Sequence, residues 1–242
     1  MKFGSPSARQ SLACAGRSHV GLVRDENEDS FGLATDRGIV LVADGMGGHD
    51  NGRYVADCAV DALCQVTPGA TLEETLGRAR EALSRTSQDV WRRSQECRRT
   101  MGATLVAAVI DDDRIGVIWA GDSRAYVFRD RSLIPLTRDH SAVQDLLDNG
   151  SISPLEAAEH PMRHVVTRAV GVTPALRADC GIHALGSGDI VLLSSDGLHG
   201  AVGDDAICES LSEHGADALD DLIGIALAAG GRDNVTAVLV KV

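Results

Sequence analysis

Asp44, Asp122, Asp196 and Asp233 each stand where an apolar run meets a glycine or a polar turn. Asp44 closes Gly38-Ile-Val-Leu-Val-Ala-Asp44-Gly45, Asp122 closes Ile115-Gly-Val-Ile-Trp-Ala-Gly121-Asp122, and Asp196 closes Ile190-Val-Leu-Leu-Ser-Ser-Asp196-Gly197. Asp233 comes just before Asn234-Val-Thr-Ala-Val-Leu-Val240. Runs of this length bounded by Gly and Asp read as buried strands. A carboxylate at the end of such a strand is rigidly held and costly to strip of water by itself. Four of them make chemical sense if they converge on cations. With oxygen ligands throughout, the cations expected are magnesium or manganese.

Strand-like runs that could position these carboxylates lie near 18–24, 29–34, 38–44, 103–111, 114–121, 124–129, 189–195 and 234–242. Asp111-Asp-Asp113 and Arg131-Ser132 each separate two apolar runs and read as hairpin turns. A helix is expected from about Asn51 to Gln65, with Val55, Cys58, Ala59, Ala62 and Leu63 on one side. A second starts at Thr71, where Thr71-Leu-Glu-Glu74 has capping-box spacing and Leu72, Leu76, Ala79, Leu83 and Val90 follow at near-helical intervals. A third pair is expected near 205–212 and 216–229. Hairpin strands with helices segregated between them indicate an α+β fold with antiparallel sheets and outer helices. The segment 138–170, with Gly150-Ser-Ile-Ser-Pro154 and His160-Pro161, has broken helices and few strand signals. It reads as a surface flap facing substrate.

Composition narrows the function classes. The chain has 242 residues, a formal charge of -12 and only 3% aromatics, so its core must be built from Val, Leu, Ile and Ala. Such acidity argues against nucleic acid as a partner. No apolar stretch reaches the ~20 residues of a membrane span, and the N-terminus has no apolar core of a signal peptide, so a cytoplasmic protein is expected. Residues 1–16, rich in Ser, Gly and Ala, are expected to be a loose extension to one domain over 17–242. Cys14, Cys58, Cys64, Cys97, Cys180 and Cys208 form no CxxC pair and read as reduced, mostly buried small hydrophobes.

Each motif is weak alone. Arg24-Asp-Glu-Asn27-Glu28-Asp29 could be a solvated charge run, and Asp44-Gly-Met-Gly-Gly-His49 an ordinary turn; the latter lacks the lysine of a P-loop and the GxGxxG spacing. Ser195-Asp-Gly197 and Gly231-Arg-Asp-Asn234 could be strand-ending turns. The ordered set is another matter. Gly21-Leu-Val-Arg24…Asn27-Glu28-Asp29, Asp44-Gly-Met-Gly-Gly-His49, Met101-Gly-Ala-Thr104, Gly121-Asp-Ser-Arg124, Ser195-Asp-Gly-Leu198 and Gly231-Arg-Asp-Asn-Val-Thr236 together resemble the metal-dependent protein phosphatase family, type 2C, in its bacterial serine/threonine form. The resemblance runs from about residue 18 to the end.

It implies a central sandwich of two antiparallel sheets flanked by helices on both sides, with two divalent cations, manganese or magnesium, at one end. Carried over by position, Asp44 would bridge both cations. Asp196 and Asp233 would bind one, and Glu28 with the Gly45 carbonyl the other. Asp29 would orient ligand waters with Asn234 nearby, Arg24 would hold the phosphate, and Asp122 would hold a third, weaker cation. Such a centre activates water directly, and no Cys-x5-Arg loop offers a thiol route. The expected partners are phosphorylated proteins, a serine/threonine kinase and its targets, met by a monomer. A phosphoprotein-binding relative without activity is the rival reading, and the intact carboxylates argue against it; a phosphatase dedicated to an anti-sigma or secretion regulator stays open.

Three positions depart from the wider family. Met46 stands where eukaryotic members carry a histidine proton donor, Gly200 where some relatives carry an acidic ligand, and Ala103 where Thr is common, a packing change. His49 is expected to be structural. His140 and His160 should fix the flap, and His164, His183, His199 and His214 should face solvent.

Overall fold

The computed structural model describes residues 12–47 and 51–242. The strands are β1 (Ala13–His19), β2 (Asp29–Ala34), β3 (Ile39–Met46), β4 (Gly102–Asp111), β5 (Arg114–Ala120), β6 (Arg124–Arg129), β7 (Ser132–Pro135), β8 (Asp179–Ala184), β9 (Ile190–Ser194) and β10 (Val235–Lys241). They form two five-stranded antiparallel sheets ordered β1-β10-β9-β6-β7 and β2-β3-β4-β5-β8. The expected α+β sandwich is what the chain forms.

Three apolar layers explain why the strand runs are nearly continuous rather than alternating. Val40, Val42, Val106, Val117, Val191, Leu193 and Val238 pack between the sheets. The intervening residues Ile39, Leu41, Leu105 and Ala107 face α1 (Asn51–Cys64) and α2 (Leu72–Cys97), on one outer side. Leu192, Ala237 and Leu239 face α6 (Asp204–His214) and α7 (Leu219–Ala228) on the other. With both sheet faces buried, alternation has no solvent side to mark.

Local chemistry sets the boundaries. Thr71 caps α2 by accepting a hydrogen bond from the Glu74 N–H at 3.2 Å, while Glu74 Oε2 accepts from Ala70 N–H at 2.8 Å. The reciprocal bond thus lands one residue earlier than a capping box places it. The β6–β7 hairpin turns through Asp130 and Arg131, both at positive φ, as a two-residue turn matching strand twist requires.

The first strand corrects the sequence reading. It spans Ala13–His19 rather than 18–24, so residues 13–16 belong to the sandwich and not to a loose extension. β8 was not anticipated, because Asp179-Cys-Gly-Ile-His-Ala184 has no apolar run and forms an exposed edge. None of the six cysteines is fully buried; Cys97 and Cys180 are exposed. The flap contains two short helices, α3 (Ala142–Asp148) and α4 (Pro154–Ala158). It returns to the sandwich through a Ser141–Val166 bridge and an Ala103–Val170 bridge. Buried Ala103 therefore carries the flap's closing contact.

Candidate metal centre

Strand register brings the carboxylates together. Asp29 and Asp44 are direct partners across β2 and β3, and Thr104 on β4 is the partner of Asp44 on the other side. Cross-strand partners share a face. All three have the parity of the inter-sheet residues Phe31, Val42 and Val106, so they project between the sheets at one end. From the opposite sheet, Asp196 opens the short helix α5 (Asp196–His199) directly after β9, and Asp233 and Asn234 precede β10. Asp122 lies in the turn between β5 and β6, where the chain crosses from one sheet to the other.

The loop carrying Arg24 and Glu28 is moulded by Asn234. Its Nδ2 donates to the Val20 and Glu26 carbonyls, each at 2.9 Å, and its Oδ1 accepts from Glu28 N–H at 2.8 Å. Gly21, at φ +85, lies so near Asp233 that a Cβ would come 2.3 Å from the Asp233 carbonyl oxygen, so only glycine fits. Gly45 is similarly confined, since a Cβ there would meet Gly52 at 2.3 Å and the Glu28 carbonyl at 2.7 Å. That contact joins the Gly45 main chain, Glu28 and the start of α1.

The electrostatics are those of crowded anions. Burial, then the charges of Asp29, Asp196, Asp122 and Asp233, holds Asp44 well above the usual carboxylate range. Burial pushes Asp29 up to about 7 against hydrogen bonds from Thr236 and Ser195; Asp196 and Asp233 push the same way. Burial and Asp196 likewise take Asp122 up to about 7. Asp196 and Glu28 are also raised, chiefly by burial. The balance is understandable by magnitude. Like charges ~4 Å apart repel by about 4 kcal/mol at an effective dielectric of ~20, more than the roughly 1.5–3 kcal/mol of one charged hydrogen bond.

Arg24 brings a fixed positive charge to these carboxylates. Its Nε and Nη2 donate to the two oxygens of Asp233 at 3.0 and 2.9 Å, and that hydrogen-bonded pair raises the guanidinium pKa. Arg24 is therefore drawn onto Asp233, although both side chains stay partly exposed.

The donor set suits hard divalent cations. Glu28 Oε1 and Asp29 Oδ1 are buried with no hydrogen-bond partner among the described residues. Buried carboxylate oxygens of this kind call for a cation. Among the described residues, no three carboxylates are drawn into a closed cage by themselves.

Several contributors escaped sequence reading. Ser195 Oγ donates to Asp29 Oδ2 at 2.8 Å and accepts from Thr236 N–H at 3.0 Å, linking the two sheets at the site. Thr104 and Ser123 hydroxyls share a 2.6 Å bond beside Asp122. A hydroxyl next to an aspartate, as in Ser195-Asp196 and Asp122-Ser123, was the available signal. His199 does not face solvent. Burial holds it well below the usual imidazole range, its Nδ1 lies 3.0 Å from Ser194 Oγ, and its ring is bonded to the Asp122 backbone. His183 is half-buried, and its Nε2 has no partner among the described residues. His164 and His214 are exposed, and the charge of His164 reaches Asp196 from the flap. Met46 packs at Gly102 beside Val172 and has no proton to give. At Gly200 a Cβ would come 2.6 Å from the Asp196 carbonyl oxygen, so an acidic side chain would require the turn to shift. His49 lies outside the described residues.

Comparison with known proteins identifies the family to which this fold belongs. The family model described as Protein phosphatase 2C matches residues 15–239. The chain is 38% identical over 239 residues to the serine/threonine protein phosphatase PstP of Mycobacterium tuberculosis, covering 96% of this chain and 45% of that protein. It thus spans about half of that relative's length. It is 34% identical over 236 residues to the serine/threonine phosphatase stp of Listeria monocytogenes, covering 93% of this chain and 94% of that one. The catalytic domain of PstP, solved in complex with two manganese ions, matches with a TM-score of 0.84 and 34% identity, covering 96% of this chain and 98% of that chain. A match that runs through both sheets and every strand end bearing a carboxylate places this chain in the protein phosphatase 2C family.

Proposed function

We propose that the chain hydrolyses phosphoserine and phosphothreonine in proteins, using two divalent cations, manganese or magnesium, and no protein nucleophile. Asp44 would lie between the cations, Asp196 and Asp233 would hold one, and Glu28 with the Gly45 carbonyl the other, with Asp29 and Asn234 supporting from behind. When bound, such a pair of cations lowers the pKa of a shared water and neutralises charge on the phosphoryl oxygens. The observation that carries this reading is the pair of orphaned buried oxygens, Glu28 Oε1 and Asp29 Oδ1, at the one end of the sandwich where the other carboxylates gather.

The chain's own residues do the remaining work. Arg24 presents a fork that matches phosphate oxygens, and in this structure the same fork grips Asp233. Substrate phosphate must therefore take over part of that grip. Ser195 fixes Asp29 by donating to one oxygen, leaving the other buried without a hydrogen-bond partner among the described residues. Met46 supplies no acid, so the departing serine or threonine oxygen takes its proton from elsewhere.

Phosphorylated proteins are the expected substrates, a serine/threonine kinase and its targets among them, met by a monomer. Asp122 stands ready for a third, weaker cation. No helix among the described residues is long and apolar enough to cross a membrane. The six free thiols suit the reducing cytoplasm. The deciding experiment is hydrolysis of a phosphothreonine peptide with manganese and with chelator. Manganese-dependent release of phosphate is expected, and its absence at every metal concentration would leave a phosphoprotein-binding module.

A further inference from the structure

The Asp122 turn is held from several directions, by the His199 ring on the Asp122 backbone among others, and one holder also grips the flap. The Thr104 and Ser123 hydroxyls share a bond on one side. Arg124 binds Asp139 through two 2.8 Å bonds on another. His140 does more. Its backbone N–H donates to the Gly121 carbonyl at 2.9 Å, and its Nδ1 accepts from the Gly121 N–H at 3.2 Å, so a single residue takes both main-chain groups of Gly121.

The remainder of the ring looks the other way. Nε2 lies 3.1 Å from Asp179 Oδ2, and Arg168, from the returning arm of the flap, bonds the second Asp179 oxygen at 2.9 Å. Thr167 N–H donates to the His140 carbonyl at 2.8 Å. His140 is 6% exposed, and its ring stacks nearly parallel to that of Trp119, with centroids 6.0 Å apart. Trp119 in turn donates from Nε1 to the Arg138 carbonyl. Because Gly121 N–H donates to Nδ1, that nitrogen carries the lone pair, and Nε2 carries the proton that Asp179 accepts. The 3.2 Å approach of Arg168 Nη1 to Nε2 is then a contact between donors, tolerated because both serve Asp179. Burial holds the imidazole below its usual range, with Arg168 acting the same way and Asp179 and Asp139 opposing. A neutral ring suits both bonds.

We propose that His140 is a positioning residue that couples the flap to the Asp122 carboxylate: one ring nitrogen sets the Gly121–Asp122 turn while the other is tied to the flap through Asp179 and Arg168. Docking of a protein on the flap and placement of Asp122 are thereby mechanically linked. The enzymatic arm of the test rests on the phosphatase reading and the manganese arm on the metal centre alone; amide exchange rests on neither.

The two ring nitrogens are separable. In His140→Asn the amide oxygen can still accept from Gly121 N–H, but the reach to Asp179 is lost. In His140→Gln the reach to Asp179 survives, and the Gly121 acceptor is lost. Arg168→Ala loosens the flap side alone from a half-exposed position. Expected are a KM for a phosphorylated protein raised roughly fivefold in His140→Asn and Arg168→Ala, with KM for p-nitrophenyl phosphate unchanged in Arg168→Ala. In His140→Gln the Gly121 amide should exchange roughly fivefold faster, and calorimetric manganese binding should weaken; in His140→Asn both should match wild type. A merely structural histidine would lower the melting temperature of both variants and move neither exchange nor the KM ratio. The coupling is overturned if Asn and Gln variants behave alike in amide exchange and manganese binding. It is equally overturned if Arg168→Ala leaves the ratio of the two KM values unaltered. Should wild type itself fail to hydrolyse the phosphoprotein, the phosphatase reading falls, while amide exchange and calorimetry still decide the coupling.

Discussion

At the scale of single residues, Asp44 shows how a site is paid for in stability. It is flanked by Asp29 and by the charges of Asp196, Asp122 and Asp233. Asp44→Asn removes that repulsion. In chelator the variant should melt a few degrees above wild type, at about 2–4 °C per kcal/mol for a domain of this size. Its manganese-dependent hydrolysis should fall by about 100-fold or more, the scale on which loss of one electrostatic partner of a transition state is felt. Differential scanning calorimetry paired with a phosphopeptide assay checks both halves, and full activity would remove Asp44 from the metal centre. Arg24 makes a different prediction. Its fork should hold phosphate before and during reaction, so Arg24→Ala should raise KM by about tenfold or more, given roughly 1.5–3 kcal/mol for a charged hydrogen bond. Steady-state kinetics with unchanged KM and kcat would return Arg24 to the surface.

At the scale of elements, the strands that carry the carboxylates are pinned at the end opposite the site. Arg129, at the end of β6, binds both oxygens of Asp189, which precedes β9, and also reaches the Ala184 carbonyl at the end of β8. The Arg129 hydrogen bonds hold the Asp189 carboxyl below the usual range. A depressed carboxylate contributes its stability above its unfolded value of about 3.9 and loses it as pH falls through the folded value. Asp189→Asn should therefore melt a few degrees below wild type at pH 7, and that gap should close below pH ~4. Thermal melts across this range test it; a gap independent of pH would assign the effect to packing. The elements also show what was legible beforehand. Runs such as Gly38–Ala43 and Ile190–Leu193 revealed themselves because both faces are covered. β8 did not, because an exposed edge strand needs no apolar run, and β1 was misplaced because Cys14, Gly16 and Ser18 give no hydrophobic signature. The acidic ends of the strands stand out in the sequence as candidate ligands; of their hydroxyl supports, Ser195 is signalled only by its aspartate neighbour and Thr236 by nothing local. Their partners lie in the opposite sheet, and only the fold brings them near Asp29.

At the scale of the whole molecule, metal and flap each have a global readout. Manganese at about 100 times its Kd should stabilise the fold by about 2.7 kcal/mol, or roughly 5–10 °C. No shift in a thermal melt would show that the carboxylates do not hold it. Replacing Leu146–Glu156 with a Gly/Ser linker should impair hydrolysis of a phosphoprotein more than of p-nitrophenyl phosphate, since α3 and α4 lie outside the carboxylate cluster. Equal loss in a folded variant would make the flap part of the site. The strand order has one more consequence. β10 lies between β1 and β9, and Asn234 shapes the loop at residues 20–28. During ribosomal synthesis the Arg24–Glu28 loop emerges some two hundred residues before its template. The nascent chain therefore carries β1 and the loop at residues 20–28 without their partners until translation has passed β10, and contacts so distant in sequence slow folding. Assembly of the carboxylate-bearing end must therefore wait until β10 has left the ribosome, and no nascent fragment that stops short of β10 could complete it.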